Sequence, residues 1–499
     1  MQLSVIKARA LVGIDAPLVR VETHLSSGLP GFNLVGMPET TVRESKDRVR
    51  SAIINSHFDF PDAKITVNLA PADLPKEGGR FDLAIALGVL AASGQINMKS
   101  LSQYEFIGEL GLDGALHPVT GVLASARACA DADCKLIVSH ACAAHAAQVP
   151  DCFVMGAESL IDVCAQLRGS QSVRVQSNHV RHQQQQQPDL SEVRGQLEAK
   201  RALEIAAAGA HNVFLYGPPG TGKTLLASRL ASLLPPLTSS ELLEVRLIQD
   251  LMTSANANPE RPFRAPHHSA SAVALVGGGS KPKPGEITLA HRGVLFLDEI
   301  AEFPRATLDM LREPLESGSV RINRAKASVT YPADFQLVAA ANPCPCGYLG
   351  DTERRCRCSN DQIERYQARL SGPLLDRIDL FCRVERLDAR TLLEQTSQTE
   401  SSATVADRVA KARGRAYERQ TVLNADAHGD TLAHEYCSDL AKQTLTLAAD
   451  KFQLSGRSVH RALRVARTIA DLAAAPMIEK NHMLEALSYR QINFTRGAF

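Results

Sequence analysis

The sequence predicts an α/β protein centred on a phosphate-binding P-loop core, with a separate N-terminal domain before it and a helical segment after it. The apolar run Val213–Tyr216 leads directly into the glycine-rich turn GPPGTGKT at residues 217–224. A second apolar run, residues 294–297, ends in the acid pair Asp298-Glu299. From about residue 404 the chain is rich in alanine, which favours helices.

The glycine-rich turn has the full eight-residue P-loop pattern, and its strand and helix context sets it apart from a chance glycine turn. Glycines 217, 220 and 222 are expected to take positive φ, so that successive N–H groups converge on a β-phosphate. A helix that begins near Lys223 would add its positive dipole end. Lys223 should reach the β and γ oxygens of ATP, and Thr224 should hold Mg²⁺. The predicted nucleotide-binding residues are Gly217, Pro218, Pro219, Gly220, Thr221, Gly222, Lys223, Thr224 and Asp298.

Hydrolysis also needs a carboxylate that holds the metal and a group that orients water. We expect Asp298 to coordinate Mg²⁺ through water and Glu299 to polarise the attacking water. The alternative is an acid pair that merely ends an ordinary strand. A third apolar strand, residues 335–341, ends at Asn342, whose amide could position the same water. This order of P-loop, acid pair and amide resembles AAA+ ATPases, and the resemblance covers roughly residues 189–499.

The length, composition and net charge of the whole chain limit its domain number, location and partners. Its 499 residues suggest about three domains, and no apolar run approaches the ~20 residues of a membrane helix. The N-terminus lacks the pattern of a signal peptide, so the expected location is the cytoplasm, where the 11 cysteines would be mostly thiols or metal ligands. A net charge of +1 excludes a globally basic nucleic-acid coat but allows local basic loops.

Composition also suggests the domain boundaries. A polar stretch ending in the glutamine run 183–187 and Pro188 cannot bury a core. A second polar stretch lies at about residues 387–405. The expected parts are an N-terminal domain at 1–168, a linker at 169–188, an ATPase core at 189–387 and a helical lid domain at 388–499.

Two arginines are candidates for sensing the triphosphate. Arg377, in GPLLDRIDL, stands where AAA+ proteins of the magnesium-chelatase and replicative-helicase branch carry a finger for the neighbouring subunit, a device worth about 10³ to 10⁵ in rate. It could instead pair with Asp376 or Asp379 on a helix surface, and Arg369 is a weaker substitute.

The C-terminal lid is expected to contain a second sensor of the triphosphate. The segment LSGRSVHRALRVARTIADL has a helical apolar stripe, with Ser455 or Gly456 at its start. Arg457 in the first turn would point at the γ-phosphate, and Arg461 is the runner-up. Both could also be ordinary solvated arginines.

Two basic insertions distinguish the core from a minimal ATPase. Residues 277–285 should form a protruding loop, and residues 317–335 should form two short β arms around a basic tip at 324–326. In a ring channel, the cationic side chains of these loops would contact DNA phosphates without reading sequence; alternatively they are plain solvated residues. The predicted DNA-contacting residues are Lys281, Lys283, Arg324 and Lys326.

A cysteine cluster follows the third strand. Cys344, Cys346, Cys356 and Cys358 form two C-x-C pairs separated by nine residues, which favours a tetrahedral structural Zn²⁺ site. The C-x-C spacing is tighter than is usual, and a redox disulfide pair or free thiols are the alternatives.

The N-terminal residues resemble the α+β Lon-protease-like domain that precedes some magnesium-chelatase-like ATPases. The turn PKEGGRFD places Arg80 where the nucleophilic serine would stand, and the turn TGVLAS places Leu123 where the lysine would stand. A serine–lysine mechanism requires both groups, so we expect no proteolysis.

Together with the lead-in GQLEAKRALEIAAAGAHN and the segments NPCPCG and SGPLLDRIDL, this arrangement resembles the ComM (YifB) family along nearly the whole chain. The resemblance implies a homohexameric DNA helicase that drives branch migration while incoming single-stranded DNA is integrated in natural transformation. Its partners would be single-stranded and branched DNA, with no membrane. A magnesium-chelatase motor normally lacks the Lon-like domain, and a protein-remodelling chaperone usually has an aromatic residue in its channel loops; both remain alternatives.

Overall fold

The computed structural model describes residues 3–36, 42, 44–98, 101–169, 188–252, 260–279, 282–324, 327–351, 354–388 and 399–490. The chain forms two compact units, and each unit is built from several segments that are separated in the sequence. The first consists of Met1–His182, Ser239–Pro259 and Asn323–Val329, and the second of Gln183–Thr238, Glu260–Ile322 and Thr330–Phe499. Most of the expected linker, residues 170–187, lies outside the described part.

The first unit has a mixed sheet at its centre. Its strands are β1 (Leu3–Arg9), β2 (Leu18–Ser26), β3 (Gly31–Val35), β4 (Lys64–Ala70), β5 (Tyr104–Phe106), β6 (Glu109–Leu110), β7 (Leu116–His117), β8 (Lys135–Ser139) and β9 (Phe153–Ala157). Seven of them pair in the order β3-β4-β2-β1-β5-β8-β9, while β6 and β7 form a small separate ladder. In β1, buried Ile6 and Ala8 alternate with more exposed residues, as expected for a strand with one face on a core.

Helices cover the sheet of the first unit. They are α1 (Ser45–Asn55), α2 (Asp82–Ala92), α3 (Val122–Asp131), α4 (His140–Ala146) and α5 (Leu160–Leu167). Every residue of α2 is buried, so this helix lies inside the core rather than on the surface.

The second unit begins with helix α6 (Leu197–Gly209), strand β10 (Val213–Tyr216) and helix α7 (Lys223–Leu233). Helix α8 (Ser239–Asp250) follows in the chain but belongs to the first unit. The next elements in the chain are β11 (Phe263–Arg264), α9 (Ala272–Val276), β12 (Gly277–Gly278), β13 (Lys283–Pro284), α10 (Glu286–Leu289), β14 (Val294–Leu297), α11 (Arg305–Asp309), α12 (Pro314–Ser317), β15 (Ser319–Arg324), β16 (Ala327–Pro332), β17 (Gln336–Ala341), α13 (Asn360–Gln367), α14 (Gly372–Leu375) and β18 (Leu380–Arg383). Of these, Asn323–Val329, at the ends of β15 and β16, is assigned to the first unit.

A five-stranded parallel sheet organises the second unit, in the order β11-β14-β17-β10-β18. The three strands predicted from the sequence are therefore neighbours. Because parallel strands end at one edge, the residues that follow β10, β14 and β17 meet there. The α/β class and the central parallel sheet are confirmed.

The second insertion has the expected form, and the first contains a short ladder that was not predicted. β12 pairs with β13 in an antiparallel ladder within the predicted loop, and β15 pairs with β16 as the two predicted arms. Residues 325–326 at the tip lie outside the described residues.

The C-terminal segment is helical. It consists of α15 (Ser402–Gln420), α16 (Gly429–Glu435), α17 (Asp439–Phe452), α18 (Gly456–Leu472) and α19 (Lys480–Ser488). Helix α18 begins as expected, with the Ser455 side chain accepting from the Ser458 N–H at 3.2 Å. Its residues Leu463 and Ile469 share one core with Val213. Of the helices that the structure describes, none combines the length and apolar character needed to cross a membrane.

Candidate nucleotide-binding site

The P-loop joins β10 to α7, and its glycines serve two purposes. Gly220 (φ 79°) and Gly222 (φ 90°) take the positive φ that was expected. Gly217 does not, and that expectation was wrong. A Cβ atom at Gly217 would lie 2.1 Å from the carbonyl oxygen of Val384, so close packing explains this glycine.

Lys223 lies at the centre of the site. Its ammonium group donates to the carbonyl oxygens of Gly217 (2.7 Å) and Pro218 (2.9 Å) and to Oδ1 of Asn342 (3.1 Å). Burial lowers the Lys223 pKa to about 8, although the nearby Asp298 and Glu299 carboxylates act in the opposite direction. The structure therefore brings Lys223 and Asn342 together, as the strand order requires.

The expected metal ligands are also adjacent. The Thr224 hydroxyl, at the start of α7, donates to Oδ2 of Asp298 at 2.6 Å. The other oxygen of Asp298 accepts the Glu299 N–H at 2.9 Å. A hydroxyl and a carboxylate oxygen this close are hard oxygen donors of the kind that Mg²⁺ takes, so the residues present fit that ion.

Glu299 has a partner that the sequence did not indicate. Its Oε2 lies 3.5 Å from Nδ1 of His268, whose ring packs 4.0 Å from that of His267. His268 follows β11, the strand that pairs with β14. The His267-His268 dipeptide was visible in the sequence, but without the strand order nothing connected it with the acid pair.

The cysteine segment packs against the P-loop. A Cβ atom at Gly347 would lie 2.6 Å from Cδ of Pro219, so the loop that contains Cys344 and Cys346 touches the phosphate-binding turn directly.

The four cysteines converge, with their sulfur atoms all within 4.8 Å of one another. The Sγ atom of Cys344 lies 3.5 Å from that of Cys346 and 3.6 Å from that of Cys356. A tetrahedral Zn²⁺ with bonds of about 2.3 Å would separate its sulfur ligands by about 3.8 Å. Burial raises the pKa of the Cys346 thiol, but the N–H groups of Arg357 and Tyr348 outweigh it and hold that pKa at about 6. The cluster could hold a metal ion, and its thiol donors fit a soft one.

Arg377 is buried within its own unit. Its Nε donates to the carbonyl oxygen of Arg312 at 3.1 Å, and its guanidinium also contacts the carboxylate of Glu316. The acid that it meets is thus Glu316 rather than Asp376 or Asp379.

Arg369, the proposed substitute, is half-exposed and pairs with Glu302 at 2.8 Å.

The two lid arginines differ. Arg457 is 67% exposed, and its Nη1 lies 4.0 Å from Oε1 of Glu316, so Glu316 faces both Arg377 and Arg457. Arg461 instead binds the buried Asp379 at 2.6 Å. Burial would raise the Asp379 pKa, but His211 and Arg461 together hold it well below its usual range. Arg461 is therefore tied into the core, and Arg457 is the freer cation.

The basic insertions contact each other. The Tyr331 hydroxyl of β16 donates to the carbonyl oxygen of Pro282, next to β13, at 2.8 Å. Lys283 is exposed on β13. Lys281 and Lys326 lie outside the described residues, and Arg324 ends β15 with a side chain that is not described.

In the first unit, the two positions of the expected protease dyad lack its chemistry. Arg80 is buried and donates from Nη2 to Oγ of Ser125 at 3.0 Å. Leu123 is an apolar residue at the start of α3, with its N–H bound to Oδ2 of Asp250 at 2.9 Å.

Comparisons with known proteins identify the family to which the chain belongs. The sequence matches the family models "Subunit ChlI of Mg-chelatase" at residues 21–141, "Magnesium chelatase, subunit ChlI" at 189–392 and "Magnesium chelatase, subunit ChlI C-terminal" at 399–490. It is 48% identical over 502 residues to the protein YifB of Salmonella typhimurium, covering 99% of this chain and 98% of the relative.

Two further relatives are informative. The chain is 48% identical over 500 residues to the competence protein ComM of Haemophilus influenzae, covering 98% of each. A partial match, 28% identical over 182 residues, joins 31% of the chain to 33% of Lon protease 2 of Bacillus subtilis. The full-length similarities are decisive: the chain belongs to the YifB/ComM family, and its nucleotide-binding core and C-terminal helices are magnesium-chelatase ChlI domains.

Proposed function

We propose that the protein is an AAA+ ATPase that works as a homohexameric DNA motor, a helicase that promotes branch migration when incoming single-stranded DNA is integrated in natural transformation. The observation that carries the proposal is the meeting of Lys223, Thr224, Asp298 and Asn342 at one edge of the parallel sheet. The printed name of the Haemophilus influenzae relative, competence protein ComM, supports the biological setting.

In this proposal ATP binds at the P-loop. Lys223 exchanges the carbonyl oxygens of Gly217 and Pro218 for phosphate oxygens, while Asn342 remains beside it. Thr224 and Asp298 would hold Mg²⁺ at this point, and the ion would supply positive charge against the phosphates. Glu299 leaves His268 and accepts a proton from the attacking water.

Ring assembly would complete the site. Glu316 pairs with Arg377 and lies near Arg457 in the single chain. We infer that contact with a neighbouring copy releases Arg377 toward that copy's triphosphate, and that Arg457 serves the nucleotide of its own subunit. This step carries the rate advantage of about 10³ to 10⁵ that such arginines give.

The DNA would be held by the basic insertions. The first insertion meets β16 of the second, where the Tyr331 hydroxyl donates to the Pro282 carbonyl, and Lys283 is exposed on the adjoining β13. Contacts from Lys281, Lys283, Arg324 and Lys326 to phosphates would be independent of sequence, as a translocating motor requires.

We further propose that the cysteine cluster holds a structural Zn²⁺, which stiffens the loop that contacts Pro219. The N-terminal unit would be a Lon-like domain without protease activity, since Arg80 and Leu123 cannot act as nucleophile and base. We place the protein in the cytoplasm, without a membrane partner.

The test is unwinding of branched DNA by the purified protein, with and without ATP. Glu299→Gln should bind ATP but not turn it over, and Lys223→Ala should weaken nucleotide binding. The proposal fails if ATP turnover is indifferent to DNA and no branched substrate is resolved.

A second candidate is a motor subunit of a metal chelatase, favoured by the three ChlI matches. Copurification with a large porphyrin-binding partner, in place of DNA, would support it. Stimulation of turnover by unfolded protein would instead indicate a protein-remodelling chaperone.

A further inference from the structure

Helix α8 ends in a buried acid. Asp250 is 1% exposed, although aspartate is seldom fully buried unless it is paired. In the chain, α8 follows the P-loop helix α7 after the short segment 234–238, which contains Pro235 and Pro236. Yet α8 belongs to the first unit, so the chain passes directly from the phosphate-binding helix into that unit.

One face of helix α8 packs against other residues of the first unit. Leu243, Leu247 and Asp250 have the spacing i, i+4 and i+7, which places them on one side of a helix. Leu247 is fully buried in a cluster that includes Val122 and Leu123 of α3, and Leu243 packs against the same cluster. Apolar side chains of α8 therefore pack in the first unit independently of Asp250.

The Asp250 carboxylate enters a polar pocket of the first unit. Its Oδ2 accepts the Leu123 N–H at 2.9 Å, and its Oδ1 lies 3.3 Å from Nε2 of His145. The buried Arg80 guanidinium supplies positive charge to the same place. Burial lowers the Arg80 pKa to about 10, while Asp250 acts against that decrease.

Arg80 and Asp250 compensate each other. A buried arginine or aspartate without its counter-charge is strongly unfavourable, whereas the pair is tolerated. The Arg80 guanidinium donates to Ser125 at 3.0 Å, but serine carries no charge that could balance it. Asp250 is the acid that acts on the Arg80 guanidinium in the described part of the chain.

We propose that the degenerate catalytic position of the first unit has become a socket for Asp250, which locks α8 to that unit. Leu123, at one position of the expected dyad, donates its N–H to the carboxylate, His145 lies beside it, and the Arg80 guanidinium, at the other position, supplies positive charge to the same pocket. Movement of α7 during the nucleotide cycle then passes through the proline-containing segment and α8 into the first unit. The socket stands without the proposed function, but the transmission of movement rests on it.

The socket is tested on the full-length protein by hydrogen–deuterium exchange without nucleotide. Asp250→Asn, which keeps the shape and removes the charge, should speed exchange in residues 243–250 by about tenfold or more, because a hydrogen bond to a charged group is lost. Asp131→Asn, the same change at an exposed acid of the first unit, is the matched control and should leave that exchange unchanged. Equal exchange in Asp250→Asn and the unaltered protein overturns the socket.

A double variant tests whether the charges of Arg80 and Asp250 balance each other. If the two charges are partners, Arg80→Met combined with Asp250→Asn leaves no unpaired charge and should be no worse than the more damaging single change. It should also fold if Asp250→Asn alone does not. Additive damage, or failure of the double variant to fold, overturns the pairing.

Transmission is tested in the Glu299→Gln background, with binding of a fluorescent ATP analogue measured in parallel. Nucleotide should change exchange in α3 when Asp250 is present, and Asp250→Asn should abolish that change. If the analogue binds but α3 does not respond, transmission is wrong and ATP binding stands. If the analogue does not bind, the proposed function falls together with transmission, whereas the nucleotide-free result for the socket is unaffected.

Discussion

Raising the pH from 7 to 9 should weaken nucleotide binding about tenfold through one side chain, Lys223. Burial lowers its pKa to about 8 in the nucleotide-free protein. Phosphate oxygens favour the charged ammonium, so binding above this pH requires that Lys223 first take up a proton. The affinity is therefore nearly full at pH 7, about half of that at pH 8, and lower still above it.

The size of the effect follows from the titration. With a pKa of about 8, the charged fraction falls from about nine-tenths at pH 7 to about one-tenth at pH 9. If the bound form keeps its proton throughout, affinity falls in the same ratio, which is about 1.4 kcal/mol. Isothermal titration with a non-hydrolysable ATP analogue and excess Mg²⁺ measures it directly.

Lys223→Arg is the matched control, because a guanidinium stays charged over this range. Its affinity is expected to be lower at every pH but nearly flat between pH 7 and 9. The reasoning is refuted if the unaltered protein shows no loss beyond that of Lys223→Arg.

Three other expectations concern the remaining features of the second unit. Glu316→Gln removes the counter-charge of buried Arg377 and should lower the free energy of unfolding by about 1–3 kcal/mol in urea titrations; an unchanged value would mean that the pair is not formed. Cys344→Ser should abolish bound zinc in metal analysis, whereas Cys382→Ser, a change at a buried cysteine outside the cluster, should retain it. Lys283→Ala should reduce the salt dependence of DNA binding by about one charge, and an unaltered slope would remove this residue from the contact.

The arrangement of residues around Lys223 could be predicted because most of its signals are local. The turn at 217–224 and the acids at 298 and 299 each follow a buried strand within a few residues, and parallel strands end at one edge. That Asn342 would lie near Lys223 was expected from the order of P-loop, acid pair and amide, which resembles that of AAA+ ATPases, and the pairing of β10 with β17 brings the two together. The φ of Gly217 was wrong because the reason for that glycine lies 167 residues away in the sequence, at Val384.

The partners of the charged residues could not be predicted in this way. The Glu299–His268 pair depends on β11 lying beside β14, and the burial of Arg377 depends on where α12 presents Glu316. From the sequence alone, Asp250 is indistinguishable from an acid on a surface helix, because its burial depends on α8 belonging to the first unit.

The position of Glu316 has a consequence for chains that are not assembled. While Glu316 binds Arg377 within one subunit, that arginine cannot reach the triphosphate of another subunit. Under the proposed mechanism, newly made subunits would therefore hydrolyse little ATP until they assemble. Under that mechanism the Glu316 carboxylate would keep a single subunit inactive, and contact with a neighbouring subunit, rather than ATP binding, would end this inhibition.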